Sequence, residues 1–145
     1  MNSQTRHVKK LDRRRVLICM AMFFVLLPVF SYLHETGHAL VCITDGNKAE
    51  ISVDIFNGGT TLCHGDVSNL FAYKISGGLL AGIIGTATGI ALFRWKIPFI
   101  AVTTIGIGHL INAGIEAFAD SYYTHGGEWS AFMGLVEVVI FFALL

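Results

Sequence analysis

Long apolar runs alternate with short polar segments along this chain. Four runs can be marked, at about 16–43, 75–93, 97–120 and 130–145. Each is comparable to the roughly 20 residues that a helix needs to cross the hydrocarbon core of a bilayer, the fourth being the shortest. No low-complexity linker or internal repeat separates them. The pattern predicts an all-α membrane protein, a four-transmembrane-helix bundle that forms a single domain over residues 1–145.

The segment between the first two runs has a different periodicity. Apolar and other residues alternate there with a period of two, which is typical of a strand with one covered face. The sequence "NGG" follows, and its residues suit the positive φ angles of a tight turn. We therefore predict a β-hairpin over about 49–64, inserted between helices 1 and 2. The alternating residues are Ile51, Val53 and Ile55 against Ser52, Asp54 and Phe56.

Charge is unevenly distributed, although the formal net charge is zero and 54% of the residues are hydrophobic. The 1–15 tail holds six of the ten lysines and arginines. No small-x-small cleavage site follows it, so we expect a retained helix rather than a removed signal peptide. The positive-inside rule then places both termini in the cytoplasm, and the hairpin and the 121–129 loop outside a plasma membrane. A basic tail without a basic folded surface argues against a nucleic-acid partner.

Small residues and cysteines add two expectations. Glycines at 78, 82, 85 and 89 form small-x-x-x-small pairs in the second run, and this spacing lets a neighbouring helix approach closely. Cys19, Cys42 and Cys63 are too few for a disulfide framework. We expect buried thiols, with a Cys42–Cys63 disulfide as the alternative if both face an oxidising side.

The end of the first run carries the candidate chemistry, in the stretch "HETGH". His34 and His38 are four residues apart, so their imidazoles point from the same helix face and can hold one zinc ion. Glu35 is close enough to act on water at that metal as a general base. An ionised side chain at the centre of a span costs about 2.5–3.5 kcal/mol of insertion free energy. Three such residues without a function, His34, Glu35 and His38, would therefore be unfavourable.

A zinc site needs a third protein ligand, and one face of the third run offers four polar residues. At 1.5 Å per residue, the two histidines lie roughly 27–33 Å along the first helix. Glu116 and Asp120 lie roughly 29 and 35 Å along the third helix, so either carboxylate can meet the two histidines. His109, at roughly 18 Å, is too deep. The four residues are His109, Asn112, Glu116 and Asp120.

An isolated acid stands in the fourth run. Glu137 lies within "GLVEVVIFF", where a charge requires a partner. We expect polar groups of the third helix, such as Thr103, Thr104 or His109, to supply it. A hydrogen-bonded structural role and a proton or water path to the metal are both compatible with its position.

Together these residues resemble the site-2 protease family of intramembrane zinc metalloproteases. "HETGH" resembles its HExGH motif, "SGGLLAG" is similar to the opening of its next core helix, and "NAGIEAFAD" keeps the spacing of its downstream Asn and Asp. The resemblance implies zinc bound by His34, His38 and Asp120, and cleavage of a transmembrane or membrane-adjacent segment of a protein substrate. It also implies catalytic roles for Glu35 as base and then acid, and for Asn112 at the substrate carbonyl.

The chain departs from that family in ways that leave alternatives open. The family's proline is missing after Asn112 and Ser121 replaces its glycine, so Glu116 remains an alternative third ligand. The charge pattern places the site nearer the outside, whereas the family's bacterial members hold zinc nearer the cytoplasm. Accessory helices and a PDZ domain are absent from this sequence. A non-catalytic membrane subunit that binds partner membrane proteins is the alternative function, and the small core suggests a regulatory membrane partner or a homo-oligomer.

Overall fold

The order of the elements follows the sequence pattern. The structure, a computed structural model, describes residues 12–54, 58–119 and 126–145, with the side chains of the last segment described from Phe132. Within these ranges it contains four helices and a hairpin between the first two, as predicted. The elements are α1 (Arg13–Thr44), β1 (Lys48–Asp54), β2 (Gly58–His64), α2 (Leu70–Ala91), α3 (Lys96–Phe118) and α4 (Gly126–Leu144).

Three of the helices are long and apolar enough to cross a membrane, namely α1, α2 and α3. The described apolar part of α4, Phe132–Leu144, is shorter. The most apolar window of α1 is only 11% buried, whereas that of α3 is 56% buried. Helix α3 is therefore the central element, and α1 presents most of its apolar surface outward, as a lipid-facing helix does.

Local signals explain where the helices begin and end. The Asp12 carboxylate accepts a hydrogen bond from the Arg14 amide at 3.1 Å, and the Asn69 side chain accepts one from the Ala72 amide at 2.9 Å. These are N-caps that satisfy otherwise unpaired amides. Gly46 follows α1 with φ +80°, and its amide donates to the Ile43 carbonyl at 2.9 Å, so the chain turns there into the hairpin.

The predicted glycine stripe of α2 faces α3. A Cβ at Gly85 would lie 2.7 Å from the Cα of Gly106, and a Cβ at Gly78 would lie 2.6 Å from the His109 carbonyl oxygen. Both positions therefore require glycine, because the two backbones are in direct contact. This close approach holds α3, which carries the candidate acidic ligand, against α2.

The hairpin pairs β1 with β2 in antiparallel register, from Lys48 opposite His64 to Asp54 opposite Gly58. Every second residue faces inward, and on β2 the inward set is Gly59, Thr61 and Cys63. Gly58 has φ +84°, as the "NGG" turn requires, while residues 55–57 lie outside the described ranges. The alternation predicted from Ile51 and Val53 is confirmed.

A disulfide attaches the hairpin to α1. Cys42 and Cys63 are bonded, with their Cα atoms 5.8 Å apart, so the expectation of buried thiols is wrong for this pair. The reason is that the inner face of β2 runs along the last turns of α1 and brings Cys63 beside Cys42. Cys19 is a buried free thiol, as expected.

Two apolar clusters fill the bundle on the side of the site away from the hairpin. Cys19, Ile100, Ala101 and Phe141 form one, and Phe30, Ala81, Val102 and Ile105 form the other. They join α1 to α2, α3 and the end of α4. The buried histidines and glutamates lie between these clusters and the hairpin.

Candidate metal site

Three buried side chains converge between α1 and α3. The Nε2 atoms of His34 and His38 are 3.0 Å apart. His34 Nε2 lies 3.1 Å from Oε1 of Glu116, and His38 Nε2 lies 3.5 Å from its Oε2. His34 and His38 are each 6% exposed and Glu116 is 2% exposed. Their ligand atoms all lie within 4.8 Å of one another, so this group can hold a metal ion.

The Nδ1 atom of each imidazole, on the side away from the site, also has a polar contact. His38 Nδ1 lies 2.7 Å from the Tyr73 carbonyl oxygen, which only accepts, so Nδ1 carries the proton and donates it. A neutral His38 then presents the lone pair of Nε2 to the site. His34 Nδ1 lies 3.2 Å from Nδ1 of His109, which fixes the plane of the His34 ring from α3. Partners of this kind orient ligands in metal centres.

Glu116 combines one satisfied oxygen with one unsatisfied oxygen. Asn112 donates from Nδ2 to Oε1 at 2.8 Å. Among the described residues, no donor hydrogen-bonds to the buried Oε2. A buried acceptor without a partner is unfavourable, and together with imidazole lone pairs it calls for a cation. A metal ion would supply that charge, and so would a proton held between a histidine and Glu116.

Space for the cation comes from Gly77 of α2. A Cβ at this position would meet His38 Nε2 and would lie 2.8 Å from His34 Nε2. The backbone of α2 thus forms a wall of the site without contributing a side chain. The neighbouring Gly37 of α1 makes this possible, because a Cβ there would lie 2.7 Å from the Cα of Gly77.

Glu35 lies beside this group and beneath the hairpin. The Thr61 hydroxyl is 2.7 Å from Glu35 Oε2 and 2.9 Å from the Glu35 carbonyl oxygen, and it donates to one of them at a time. A Cβ at Gly59 would lie 2.8 Å from Glu35 Oε1, so the carboxylate fits there only because β2 carries glycine. Tyr73 donates from its hydroxyl to the Thr61 carbonyl at 3.3 Å, which links the hairpin to α2.

A cleft of about 260 Å³ opens next to the site. Helices α1, α3 and α4 and the start of β2 form its walls, and His34 and Glu35 line it. Its lining includes Glu35, Gly58, Gly59, Gly108, Asn112, Gly134 and Glu137. Glu137 lies against α3 at Gly108, as expected, but the Thr103 and Thr104 hydroxyls do not hydrogen-bond to it among the described residues.

The structure brings His34, His38, Glu35 and Asn112 to one place, as the sequence suggests. The predicted third ligand Asp120 lies outside the described residues, and Glu116 occupies the ligand position that the described residues provide. His109, which the depth count set aside as a ligand, lies closer than that count suggested and contacts His34 Nδ1, but it is not part of the group that can hold a metal ion. Thr61 and Tyr73 were not expected, although the strand alternation already placed Thr61 on the same face as Cys63.

Comparison with known proteins gives no match: no family model, curated protein or solved structure is significantly similar to this chain. The site therefore has to be interpreted from its own chemistry.

Proposed function

We propose that this chain is a zinc-dependent intramembrane endopeptidase, which hydrolyses a peptide bond in or beside a transmembrane segment of a protein substrate. One observation carries the proposal. Two imidazole nitrogens and a carboxylate converge within 3.5 Å of their nearest neighbours, and a second carboxylate, Glu35, stands beside them at a cleft. This is the donor set of a catalytic zinc centre, in which three protein ligands leave one position open.

The distances suit zinc. Ligand atoms about 2.1 Å from a tetrahedral zinc ion lie about 3.4 Å from one another. The separations here are 3.0, 3.1 and 3.5 Å. His34, His38 and Glu116 would hold the ion. When bound, it supplies Lewis-acid polarisation of a water molecule and of the substrate carbonyl.

Glu35 is the general base in this proposal. It takes a proton from the attacking water as the new carbon–oxygen bond forms, and it returns that proton to the amine nitrogen as the carbon–nitrogen bond breaks. Thr61 holds the carboxylate in place through its 2.7 Å hydrogen bond. Asn112 lines the cleft and also donates to Glu116, so it positions the ligand and can assist at the substrate carbonyl.

The position of the hairpin favours a peptide as the substrate. A transmembrane helix exposes its peptide bonds only after its internal hydrogen bonds open, and an adjacent strand edge compensates for that loss. Gly58 and Gly59 of β2 line the cleft, which places strand backbone beside the reacting groups. The described sheet has only β1 and β2, so each strand has one edge that the other does not cover.

Two independent features support an orientation in the membrane. The basic residues Arg13, Arg94 and Lys96 lie at the end of the bundle opposite the hairpin, and the positive-inside rule places that end in the cytoplasm. The Cys42–Cys63 disulfide lies at the hairpin end, and disulfides persist in oxidising compartments. We therefore propose a multi-pass protein of the plasma membrane with four spans, both termini cytoplasmic and the hairpin outside.

The test uses Glu35→Gln in protein reconstituted into liposomes with a fluorescent transmembrane peptide. We expect cleavage to fall by at least about 100-fold while zinc content, measured by mass spectrometry, is unchanged. Glu50→Gln is the matched control, because Glu50 is an exposed glutamate on β1 whose side chain is 74% accessible. Undiminished cleavage by Glu35→Gln would refute the mechanism. Unmodified protein that purifies without stoichiometric zinc and does not cleave would favour the non-catalytic subunit.

A further inference from the structure

Glu137 is an acidic residue in the cleft that the proposed mechanism does not use. It comes from α4, and its Oε1 would lie 2.6 Å from a Cβ at Gly108, so it rests directly on the α3 backbone. It lines the cleft beside His34 and Glu35. It also lines a separate apolar groove formed by α1 and α4, which includes Phe24 and Phe142. Glu137 thus stands where the lipid-facing groove meets the polar cleft.

The two carboxylates of the cleft lining differ in their partners. Glu35 accepts a hydrogen bond from Thr61. For Glu137 the described part of the chain provides neither a hydrogen bond nor an ion pair, and the cleft lining contains no lysine or arginine. Because an ionisable group within a membrane is usually paired and functional, the open cleft beside Glu137 suits a partner that arrives with a bound segment.

We propose that Glu137 is a specificity-determining residue, whose carboxylate binds the ammonium or guanidinium group of a basic residue in the substrate segment. This inference rests on the proposed peptidase function and narrows its substrates to membrane segments with a lysine or arginine near the scissile bond. An ionised carboxylate only accepts hydrogen bonds, and its strongest partners are charged donors. The apolar groove beside it lowers the local dielectric, which strengthens such a pair.

The cleft also has room for the incoming side chain. Gly134 precedes Glu137 by three residues and therefore lies on the same face of α4. A Cβ at Gly134 would have no atom within 4 Å, so the space next to the carboxylate is open. Gly108 likewise carries no side chain that would cover the carboxylate from α3. A long basic side chain can therefore reach Glu137 without displacing a residue of the described bundle.

The test measures binding, so that it does not depend on turnover. Protein carrying Glu35→Gln is placed in nanodiscs, and fluorescent transmembrane peptides with a single lysine scanned along the segment are compared with peptides carrying norleucine instead. We expect lysine at one position to bind about 10–100-fold more tightly than norleucine, the range of one charged hydrogen bond. Adding Glu137→Gln should abolish that preference, whereas adding Glu50→Gln should preserve it.

Charge reversal separates recognition from a structural role. Glu137→Lys should shift the preference to peptides with glutamate at the same position, which a merely destabilised protein would not do. Zinc content reports whether each variant keeps its fold. Equal binding of lysine and norleucine peptides at all positions, or a lysine preference that survives Glu137→Gln, overturns the inference. Cleavage by the unmodified protein without a lysine preference refutes only this inference, and a lysine preference without cleavage refutes only the peptidase.

Discussion

Gly77→Ala offers a direct test of the metal site, because it adds one methyl group where the cation should sit. The new Cβ would lie 2.8 Å from His34 Nε2, whereas ordinary contact begins at 3.4 Å, so this imidazole has to retreat by about 0.6 Å. The contact with His38 Nε2 is closer still and requires a larger shift. Metal–ligand distances tolerate deviations of only about 0.2 Å.

The expected loss of zinc affinity is therefore large. Changes to residues that merely support a ligand reduce affinity by about 10–100-fold. Gly77→Ala displaces two ligands, so we expect at least about 100-fold, or about 2.7 kcal/mol of binding free energy. The assay is competition against a chromophoric chelator, combined with mass-spectrometric zinc content of the purified protein.

Two matched glycine variants separate metal loss from misfolding. Gly114→Ala adds the same methyl group to α3, where no atom lies within 4 Å of it, and zinc binding should be unchanged. Gly82→Ala places its Cβ 2.6 Å from Leu110 Cγ, away from the imidazoles, so it should lower thermal stability but keep zinc in the folded fraction. The proposed metal site would be refuted if Gly77→Ala bound zinc with the stoichiometry and affinity of the unmodified protein.

Four further substitutions test three separate parts of the structure. Glu116→Gln should reduce zinc affinity by about 100-fold or more and Asp120→Asn should not, as read from zinc content; the reverse pattern would make Asp120 the ligand. Thr61→Val should keep zinc but lower kcat by about 10–100-fold, since the general base loses a charged hydrogen bond, and an unchanged kcat would contradict that role. Ser68 donates hydrogen bonds to the Asp45 carboxylate through its hydroxyl and its amide, and they lower the pKa of Asp45. Their contribution to the free energy of unfolding is therefore present at neutral pH. It is lost as the pH falls from about 3.9, the ordinary value, through the lower pKa of the folded state. Ser68→Ala should raise the pKa of Asp45 toward its ordinary value in a carboxylate NMR titration, and an unaltered titration would contradict this assignment.

Helical geometry was sufficient to predict the candidate metal ligands from the sequence. The spacing of His34 and His38 places both imidazoles on one side of α1, and counting residues along α3 identified Glu116 as a carboxylate at the right height. The choice between Glu116 and Asp120 remained open, because one extra turn of helix changes the height by only about 5.4 Å.

The same counting overestimated the difference in height between His109 and His34, because it assumed that the two helices start level. In the structure Cys19 Sγ lies 3.5 Å from the Ile97 carbonyl, so these two residues share a height. From that level His109 is about 18 Å up and His34 about 22 Å up, a difference that two imidazoles can span. The offset depends on how α1 packs against α3, which a single sequence does not reveal.

Residues supplied by the hairpin were harder to foresee for a related reason. Alternation predicts which residues of β2 face inward, but not which helix lies beneath them. The disulfide between Cys42 and Cys63, and the contact of Thr61 with Glu35, both depend on β2 running along the end of α1. Neither follows from sequence spacing, since 21 residues separate the two cysteines.

The disulfide also has a consequence for biogenesis. Thr61 and Cys63 share the inner face of β2, so the oxidation that fastens the strand also delivers the hydroxyl that steadies Glu35. A freshly translated chain, with its thiols still reduced, has no covalent tie to hold that hydroxyl in place. If the chain has the proposed peptidase activity and orientation, its activity would then begin only when the hairpin reaches the oxidising side, which would protect membrane proteins at the site of synthesis from premature cleavage.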